Sequence, residues 1–383
     1  MAVFWFRGDH VGPTLPPSAG GRHRPRGGSV NGSGTVGAPP VRMRPRTIPA
    51  ALLATAALGL AAGVLGRRRY SFAGKVVLIT GGSRGLGLVM ARQLVREGAT
   101  VMLMARDRAE LARAAVSIPR REQVLVSPGD VAVADDCQRV VADTLARCGR
   151  LDVLVNNAGV IVSAPVETTT ADDFRTLMDV HFWGTLQMTR AALPLLRRQP
   201  GARVVNICSI GGRIPVPHLS AYCASKFAQG ALSAVLSAEL RPEGITVCTV
   251  YPGLMRTGSH INARFRGDVP REFAAFALAS GLPGLSMSAS RAASQILSAV
   301  RRGRADVIVP FTVRQAARLA ALAPNSALSM LGLVNRALPD GSGGSRFEPL
   351  APVRGEQVPL NAAVRAAVVL NERAATRNNE RSI

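Results

Sequence analysis

Two side chains that can share a proton lie four positions apart in the sequence. Tyr222 and Lys226 fall in a stretch with a helical pattern, AYCASKFAQGALSAVLSAEL, so both project from one face of a helix. A phenol with a pKa near 10 is a poor acid–base group at neutral pH, but an adjacent ammonium stabilises the phenolate. Ser209, at the end of the preceding strand, can hold a substrate oxygen beside Tyr222. The three side chains predict proton transfer to or from a carbonyl or hydroxyl oxygen.

A glycine-rich turn follows the first apolar strand of the chain. The run KVVLITGG leads into a helical pattern, and such a turn lets backbone approach a diphosphate at a helix N-terminus. The alternative is a plain strand-to-helix turn. The cofactor-binding residues predicted in this turn are Gly81, Ser83, Arg84, Gly85, Leu86 and Gly87.

The end of the second strand bears on which nicotinamide cofactor is used. At this point a carboxylate binds the ribose 2′-hydroxyl of NAD(H), whereas cationic side chains bind the 2′-phosphate of NADP(H). The strand ends at Arg106, and Arg84 in the glycine turn can reach the same phosphate. Asp107 follows one position later, where it can cap the next helix. The two arginines therefore favour NADP(H) over NAD(H).

Strands and helices alternate from residue 72 to residue 310. The strand candidates are nearly continuous in apolar residues, which is typical of a parallel sheet covered on both faces. The predicted fold is therefore α/β, a doubly wound parallel sheet of the Rossmann type in a single domain.

These motifs together resemble the short-chain dehydrogenase/reductase family, in its single-domain branch. The resemblance covers about residues 72–310 and includes the thirteen-residue step from Ser209 to Tyr222. It implies that Tyr222 is the general acid or base, that Lys226 lowers its pKa and binds the nicotinamide ribose, and that Ser209 orients the carbonyl. It also implies contacts to the adenine half of the cofactor from Asp130, Val131, Asn157, Ala158 and Gly159, and to the nicotinamide from Pro252, Gly253 and Thr257.

One position departs from the family pattern. His181 stands where the family usually has an Asn whose backbone carbonyl serves the proton relay and whose side chain supports a local helix distortion. We expect His181 to support the catalytic group as a neutral imidazole, because Lys226 disfavours its charged form. The alternatives are that this His is only structural, or that the protein is a catalytically weak nucleotide sensor on the same fold.

The substrate is expected to be apolar. The segment after Thr257 should cover the substrate, and its apolar residues predict a steroid, a retinoid or a long-chain ketone or aldehyde; packing of the covering helices is an equal alternative. These residues are Phe265, Phe273, Phe276, Leu278, Leu282 and Leu285. The resemblance implies a homo-oligomer.

The charge of the chain does not indicate nucleic-acid binding. Its net charge is +23, but the basic residues are nearly all Arg, are spread along the chain and have no interleaved aromatic residues. The five cysteines form no CxxC pair and have no adjacent His cluster, so we expect separate thiols and no metal site.

An apolar run near the N-terminus predicts membrane attachment. Residues 48–66 are uncharged and bracketed by arginines, and 19 residues span about 28 Å as a helix. The alternatives are a cleaved signal peptide or a buried helix. We expect a single-pass anchor with the catalytic domain on the cytoplasmic side, where NADPH is available. Residues 1–47 are expected to be a disordered basic leader, of which 1–42 precede a second possible start at Met43.

Two further segments follow the domain. Residues 311–338 predict an apolar helical extension interrupted at Pro324, which can pack on the domain or lie on a membrane surface. Residues 339–383 begin as a Gly/Ser/Pro-rich linker and are expected to be a flexible tail.

Overall fold

The computed structural model describes residues 70–281, 286–339, 351–359 and 369–381. The predicted leader, residues 1–47, and the predicted anchor, residues 48–66, lie outside the described residues. Leu282 and Leu285, expected in the substrate cover, also lie outside them.

A parallel sheet of seven strands forms the centre of the molecule, as the alternating pattern predicted. Its central strands are buried along their length because their β-branched and apolar side chains face helices on both sides. The strands, in chain order, are β1 (Val76–Thr80), β2 (Thr100–Ala105), β3 (Val124–Pro128), β4 (Val153–Asn156), β5 (Arg203–Ile207), β6 (Thr246–Pro252) and β7 (Asp306–Val309).

Helices cover both faces of this sheet. One face carries a core cluster that includes Leu88, Leu103 and Ile296, and the other carries a cluster that includes Met104, Leu154 and Leu240. The helices that connect the strands are α1 (Gly85–Arg96), α2 (Arg108–Val116), α3 (Ala134–Cys148), α4 (Ala171–Met178), α5 (Gly184–Leu196), α6 (Ser220–Leu240), α7 (Val269–Gly281) and α8 (Ala289–Arg301).

The strand order is β7-β6-β5-β4-β1-β2-β3. The chain builds outward from β1 to β3 and then returns to place β4 on the other side of β1. The direction of winding therefore reverses between β1 and β4. A crevice at the carboxyl ends of the strands at this reversal is where doubly wound folds bind ligands.

A smaller unit covers this crevice. The short strands Val162–Ser163, Arg264–Phe265 and Val353–Arg354 form a three-stranded sheet beside α7. Phe265 and Phe273 are buried here with Val358. The sequence left open whether these two aromatic side chains contact the substrate or pack the covering helices. In the structure they pack the covering unit.

The stretch expected to be a flexible tail contains packed structure. Residues 353–354 join the small sheet, and α11 (Val369–Arg377) packs on the domain with Asn371 and Ala375 buried. The expectation was based on composition, which does not reveal that polar residues of the tail find hydrogen-bond partners more than 100 positions away.

The apolar extension forms two helices, α9 (Phe311–Leu322) and α10 (Pro324–Asn335), with the break at Pro324 as predicted. Neither helix has a buried residue. Among the described residues, no single helix is long and apolar enough to cross a membrane. Helices α9 and α10 have the necessary length and composition only when they are taken together, and the pair is bent by 118°.

Candidate active site

The three predicted catalytic side chains meet at the carboxyl edge of the sheet. Ser209 lies two residues after the end of β5 and caps a short 3-10 turn, in which its Oγ accepts a hydrogen bond from the Gly211 N–H at 3.1 Å. Tyr222 lies in the first turn of α6 and is hydrogen-bonded to Ser209. Gly211 keeps the space between them open, since a Cβ there would lie 3.3 Å from the Tyr222 ring and 3.5 Å from the Ser209 Oγ.

Lys226 is buried one helical turn after Tyr222. Its Nζ donates to the Ile207 carbonyl at 3.2 Å and to Gln229 Oε1 at 2.8 Å, and lies 5.9 Å from the centre of the Tyr222 ring. Burial lowers the pKa of Lys226 to about 8. Its side-chain amino group can therefore gain or lose a proton close to neutral pH.

The expected lowering of the Tyr222 pKa by Lys226 differs from what this arrangement produces. Burial raises the pKa of Tyr222, and the hydrogen bond with Ser209 opposes that rise. The Lys226 ammonium donates its hydrogen bonds to Ile207 and Gln229. Sequence spacing placed the two residues on one helix face but did not reveal these competing partners.

His181 lies in a π-helical segment, Asp179–Trp183, between α4 and α5. Its ring is fully buried and meets the Tyr222 ring edge-on, with 5.5 Å between the ring centres. The Val160 N–H donates to its Nε2 at 3.1 Å, so the proton resides on Nδ1, which donates to Ser225 Oγ at 2.8 Å. Burial, assisted by Lys226, holds the pKa of His181 well below 6.5, which agrees with the expected neutral imidazole.

The His181 ring links two parts of the site. Ser225 Oγ donates in turn to the Tyr222 carbonyl at 2.8 Å, so the ring ties the turn after β4 to the helix that carries the acid–base group. Gly159 leaves room for the ring, because a Cβ there would lie 3.2 Å from Nε2. His181 is thus a positioning residue in this geometry, and Ser225 is a member of the site that the sequence reasoning missed.

The glycine turn has the shape that a dinucleotide diphosphate requires. Gly81 has a φ of +62°, and a Cβ at Gly87 would lie 2.4 Å from the Gly81 carbonyl oxygen. The Asn157 amide fastens the turn by donating to the carbonyls of Thr80 and Gly81 at 3.0 Å each. The first turn of α1 has no acidic residue, so its N–H groups and partial positive charge suit an anion.

The arginines expected to hold a 2′-phosphate have acidic neighbours. Arg84 pairs with Glu110 at 2.8 Å, and Ser83 Oγ donates to the same carboxylate at 2.6 Å. Arg106 is 3.8 Å from Asp130, and its side chain is 58% exposed. Asp107 caps α2 as expected, by accepting from the Glu110 N–H. The sequence reasoning missed Glu110, a residue of α2 whose inward direction only the fold reveals.

A third arginine lies near Arg106. Burial lowers the pKa of Arg264, and repulsion from Arg106 and Arg354 lowers it further. Like charges held together in this way favour a multiply charged anion over a neutral sugar hydroxyl. The sequence reasoning did not single out Arg264, since its nearness to Arg106 depends on the small sheet folding over the crevice.

The remaining predicted cofactor residues line the same edge of the sheet. The N–H groups of Asn157 and Ala158 donate to Thr80 Oγ1, and Val131 is buried against Gly184. Gly253 extends β6 through a hydrogen bond to the Val309 carbonyl. Pro252 ends β6, and Gly253 and Thr257 follow it, on the opposite side of the crevice from the glycine turn.

A buried His–Glu pair joins the covering unit to the catalytic loop. His218, between Ser209 and Tyr222, contacts Glu272 of α7 at 2.5 Å, and Ser163 Oγ donates to the same carboxylate at 3.2 Å. Burial raises the pKa of Glu272, and His218 opposes that rise. No motif indicated this pair, because its members are 54 positions apart.

Comparison with known proteins agrees with this architecture. A family model described as short chain dehydrogenase matches residues 75–266. An Arabidopsis thaliana protein named 11-beta-hydroxysteroid dehydrogenase-like 2 is 34% identical over 244 residues, which cover 63% of this chain and 75% of the relative. An Anopheles gambiae protein named dehydrogenase/reductase SDR family protein 7-like is 33% identical over 260 residues, which cover 66% of this chain and 80% of the relative.

A solved structure shows the same relationship. A short-chain dehydrogenase from Streptomyces avermitilis superposes with a TM-score of 0.57 at 33% identity, covering 69% of this chain and 99% of that one. The fold, the site and these relatives agree with the resemblance first seen in the motifs. The chain belongs to the short-chain dehydrogenase/reductase family, whose members use NAD or NADP to act on hydroxyl and carbonyl groups.

Proposed function

We propose that this protein is an NADP(H)-dependent oxidoreductase that interconverts a carbonyl and an alcohol on an apolar substrate. The observation that carries the proposal is the meeting of Ser209, Tyr222 and Lys226 at the sheet edge beside the glycine turn. The bound nicotinamide supplies or accepts the hydride. A turnover assay with NADPH, NADH and a panel of carbonyls tests the proposal.

Proton transfer is the task of the side chains. In reduction, Ser209 holds the carbonyl oxygen and Tyr222 donates its phenolic proton to it; in oxidation, the phenolate takes the proton of the alcohol. Because burial raises the Tyr222 pKa, the phenol is protonated at neutral pH and is ready to act as an acid. The reverse direction requires the ammonium of Lys226 and the charge of the oxidised nicotinamide to stabilise the phenolate.

The NADP(H) preference rests on the cations at the adenosine end of the crevice. Arg106 is more than half exposed and lies near Arg264, which is the charge pattern that a 2′-phosphate needs. Arg84 contributes less to this preference, because Glu110 pairs with its guanidinium. We therefore assign the larger part of the discrimination to Arg106.

The apolar substrate class is supported by the surroundings of Tyr222 and by the relatives. Tyr222 packs beside Val162, Ala164 and Leu177, which form a small buried apolar cluster. Several relatives are named 11-beta-hydroxysteroid dehydrogenase-like or 11-beta-hydroxysteroid dehydrogenase. We propose a steroid, a retinoid or a long-chain ketone or aldehyde. Equal activity on small hydrophilic carbonyls in the same panel would contradict this class.

We also propose that the protein is attached to a membrane, with its catalytic domain on the cytoplasmic side. The apolar run 48–66 is the proposed anchor, and α9 with α10 is the proposed second contact. Residues 311–338 contain no acidic residue and include Arg314, Arg318 and Arg336, a composition suited to anionic headgroups. The exposed apolar side chains of this pair include Phe311, Leu319, Leu322, Leu328, Met330 and Leu333.

Two measurements test the anchor and the second membrane contact separately. Release of the full chain by alkaline carbonate would contradict the anchor. A variant that lacks residues 48–66 should still float with vesicles containing anionic lipid, and Leu322→Asp should release it. Val116→Asp is the matched control, since Val116 is 58% exposed on α2. Equal flotation of the Leu322→Asp and Val116→Asp proteins would contradict the role of α9 and α10.

A further inference from the structure

The C-terminal segment, residues 369–381, crosses the crevice in which the dinucleotide is proposed to bind. It consists of α11 and the four residues that follow it. Four of its residues are nearly inaccessible to solvent, and all four face the domain: Asn371, Ala375, Asn378 and Glu380. Each contacts at least one of the two loops that would hold the ends of the cofactor.

At the glycine turn, the segment occupies the start of α1. The Gly85 N–H donates to the Asn378 carbonyl at 2.9 Å, and the Asn379 amide donates to the Ser83 carbonyl at 2.9 Å. A carboxylate oxygen of Glu380 lies 2.7 Å from the position that a Cβ of Gly85 would take. The open side of this turn is thus filled by protein, although its glycines suit a close-lying diphosphate.

At the loop after β6, the same segment is held by further hydrogen bonds. The Asn378 amide donates to the Thr257 carbonyl at 3.0 Å, and the Gly258 N–H donates to Asn371 Oδ1 at 3.2 Å. Ala375 packs so closely that its Cα lies 2.4 Å from the Cβ position of Gly258. A dinucleotide stretched from the glycine turn to Thr257 would need the same space.

The side chain at the centre of these contacts is acidic. Glu380 lies 3.5 Å from the Arg84 Nε and accepts from the Asn262 amide at 2.7 Å, while Glu110 faces it from α2. Burial raises its pKa to about 7, and Arg84 and Asn262 oppose that rise. The Glu380 side chain thus occupies the start of α1, the place at which a helix N-terminus binds a phosphate group.

We propose that the C-terminal segment is an intramolecular ligand of the dinucleotide site, which places the Glu380 carboxylate where a cofactor phosphate binds and must leave before the cofactor enters. This inference rests on the proposed dinucleotide-dependent function. The segment then sets the apparent cofactor affinity, because only the fraction of molecules with an undocked segment can bind.

A variant that undocks the segment tests this competition. Ala375→Leu adds bulk where Gly258 leaves no space, while Thr376→Leu adds the same side chain at the neighbouring, exposed position. If the segment is docked in about nine molecules of ten, undocking tightens the dissociation constant of NADPH about tenfold. We expect this change in the full-length Ala375→Leu protein and none in Thr376→Leu, measured by NADPH fluorescence titration.

Hydrogen exchange gives a second readout that does not depend on the variants. Addition of NADPH to the wild-type chain should slow exchange in residues 80–87 and speed exchange in residues 371–381. Slower exchange in both segments, or weaker NADPH binding by Ala375→Leu, would show that the segment is part of the cofactor site and would overturn the proposal. Equally tight binding by wild type and Ala375→Leu would overturn it while leaving the oxidoreductase intact. Failure of both proteins to bind NADPH or NADH would overturn the proposed function itself.

Discussion

The replacement of His181 by Ala should slow the reaction without touching any reacting atom. In the wild type, the ring accepts from the Val160 N–H at 3.1 Å and donates to Ser225 Oγ, which in turn holds the Tyr222 carbonyl. Alanine removes both links and leaves the amide of Val160 without its partner. An unsatisfied buried donor costs about 1–3 kcal/mol, and the cavity left by the ring adds to that loss of stability.

The same links predict the size of the catalytic effect. The ring positions the start of α6, so its loss should misplace Tyr222 relative to Ser209. We expect the rate of hydride transfer to fall by about ten- to a hundredfold, which corresponds to about 1.4–2.7 kcal/mol. His181→Asn should keep or raise the rate, because an amide oxygen can accept from Val160 and an amide N–H can donate to Ser225.

Pre-steady-state measurement of hydride transfer, corrected for the folded fraction, is the assay. Leu240→Ala is the control for stability alone, because Leu240 is buried at the far end of α6 and its truncation costs about 2–5 kcal/mol. This control should retain the wild-type rate. The pH dependence of the rate should be the same in wild type and His181→Asn, since burial keeps the imidazole neutral. Equal rates in wild type and His181→Ala would refute the positioning role.

Three further predictions concern the cofactor. Arg106→Asp should weaken NADPH binding by at least tenfold, which is equivalent to about 1.4 kcal/mol, and should improve the use of NADH. Equal affinities of the wild type for NADH and NADPH would contradict this role of Arg106. Lys226→Ala should reduce both turnover and cofactor affinity, whereas an effect on turnover alone would exclude the ribose contact. Because docking raises the pKa of Glu380 to about 7, docking is favoured below that pH and weakens as the pH rises through it. The ratio of the NADPH dissociation constant of wild type to that of Ala375→Leu should therefore decrease as the pH is raised from 6 to 8. A constant ratio would contradict the dependence of docking on the protonation of Glu380.

The main sheet could be predicted from the sequence because its signals are local. Strand β1 is a continuous apolar run, and the turn that follows has glycines where a side chain cannot fit, as at Gly87. Tyr222 and Lys226 are a turn apart on one helix, so spacing alone places them together. The position of β4 beside β1 then brings Asn157 to the glycine turn.

The features that the sequence did not reveal depend on contacts between distant positions. Glu110 meets Arg84 across 26 positions, and Asn378 meets Thr257 across 121. The tail looked flexible because it follows a Gly/Ser/Pro-rich linker, yet Asn371 and Glu380 are buried with hydrogen-bond partners. The sequence left open whether Phe273 contacts the substrate or packs the covering helices, and the structure places it in the core of the covering unit. Composition and spacing carry no information on which distant groups meet.

The most direct test of the central claim is a single-turnover measurement on the Tyr222→Phe protein. Wild type should transfer hydride from NADPH to at least one apolar carbonyl in the panel. Tyr222→Phe should bind NADPH with nearly unchanged affinity but lose about two to four orders of magnitude in rate, because only the transferable proton is missing. Hydride transfer by Tyr222→Phe at a rate close to that of wild type would contradict the assignment of Tyr222 as the acid–base group. A wild type that transfers no hydride until His181 is replaced by Asn would identify a nucleotide sensor instead.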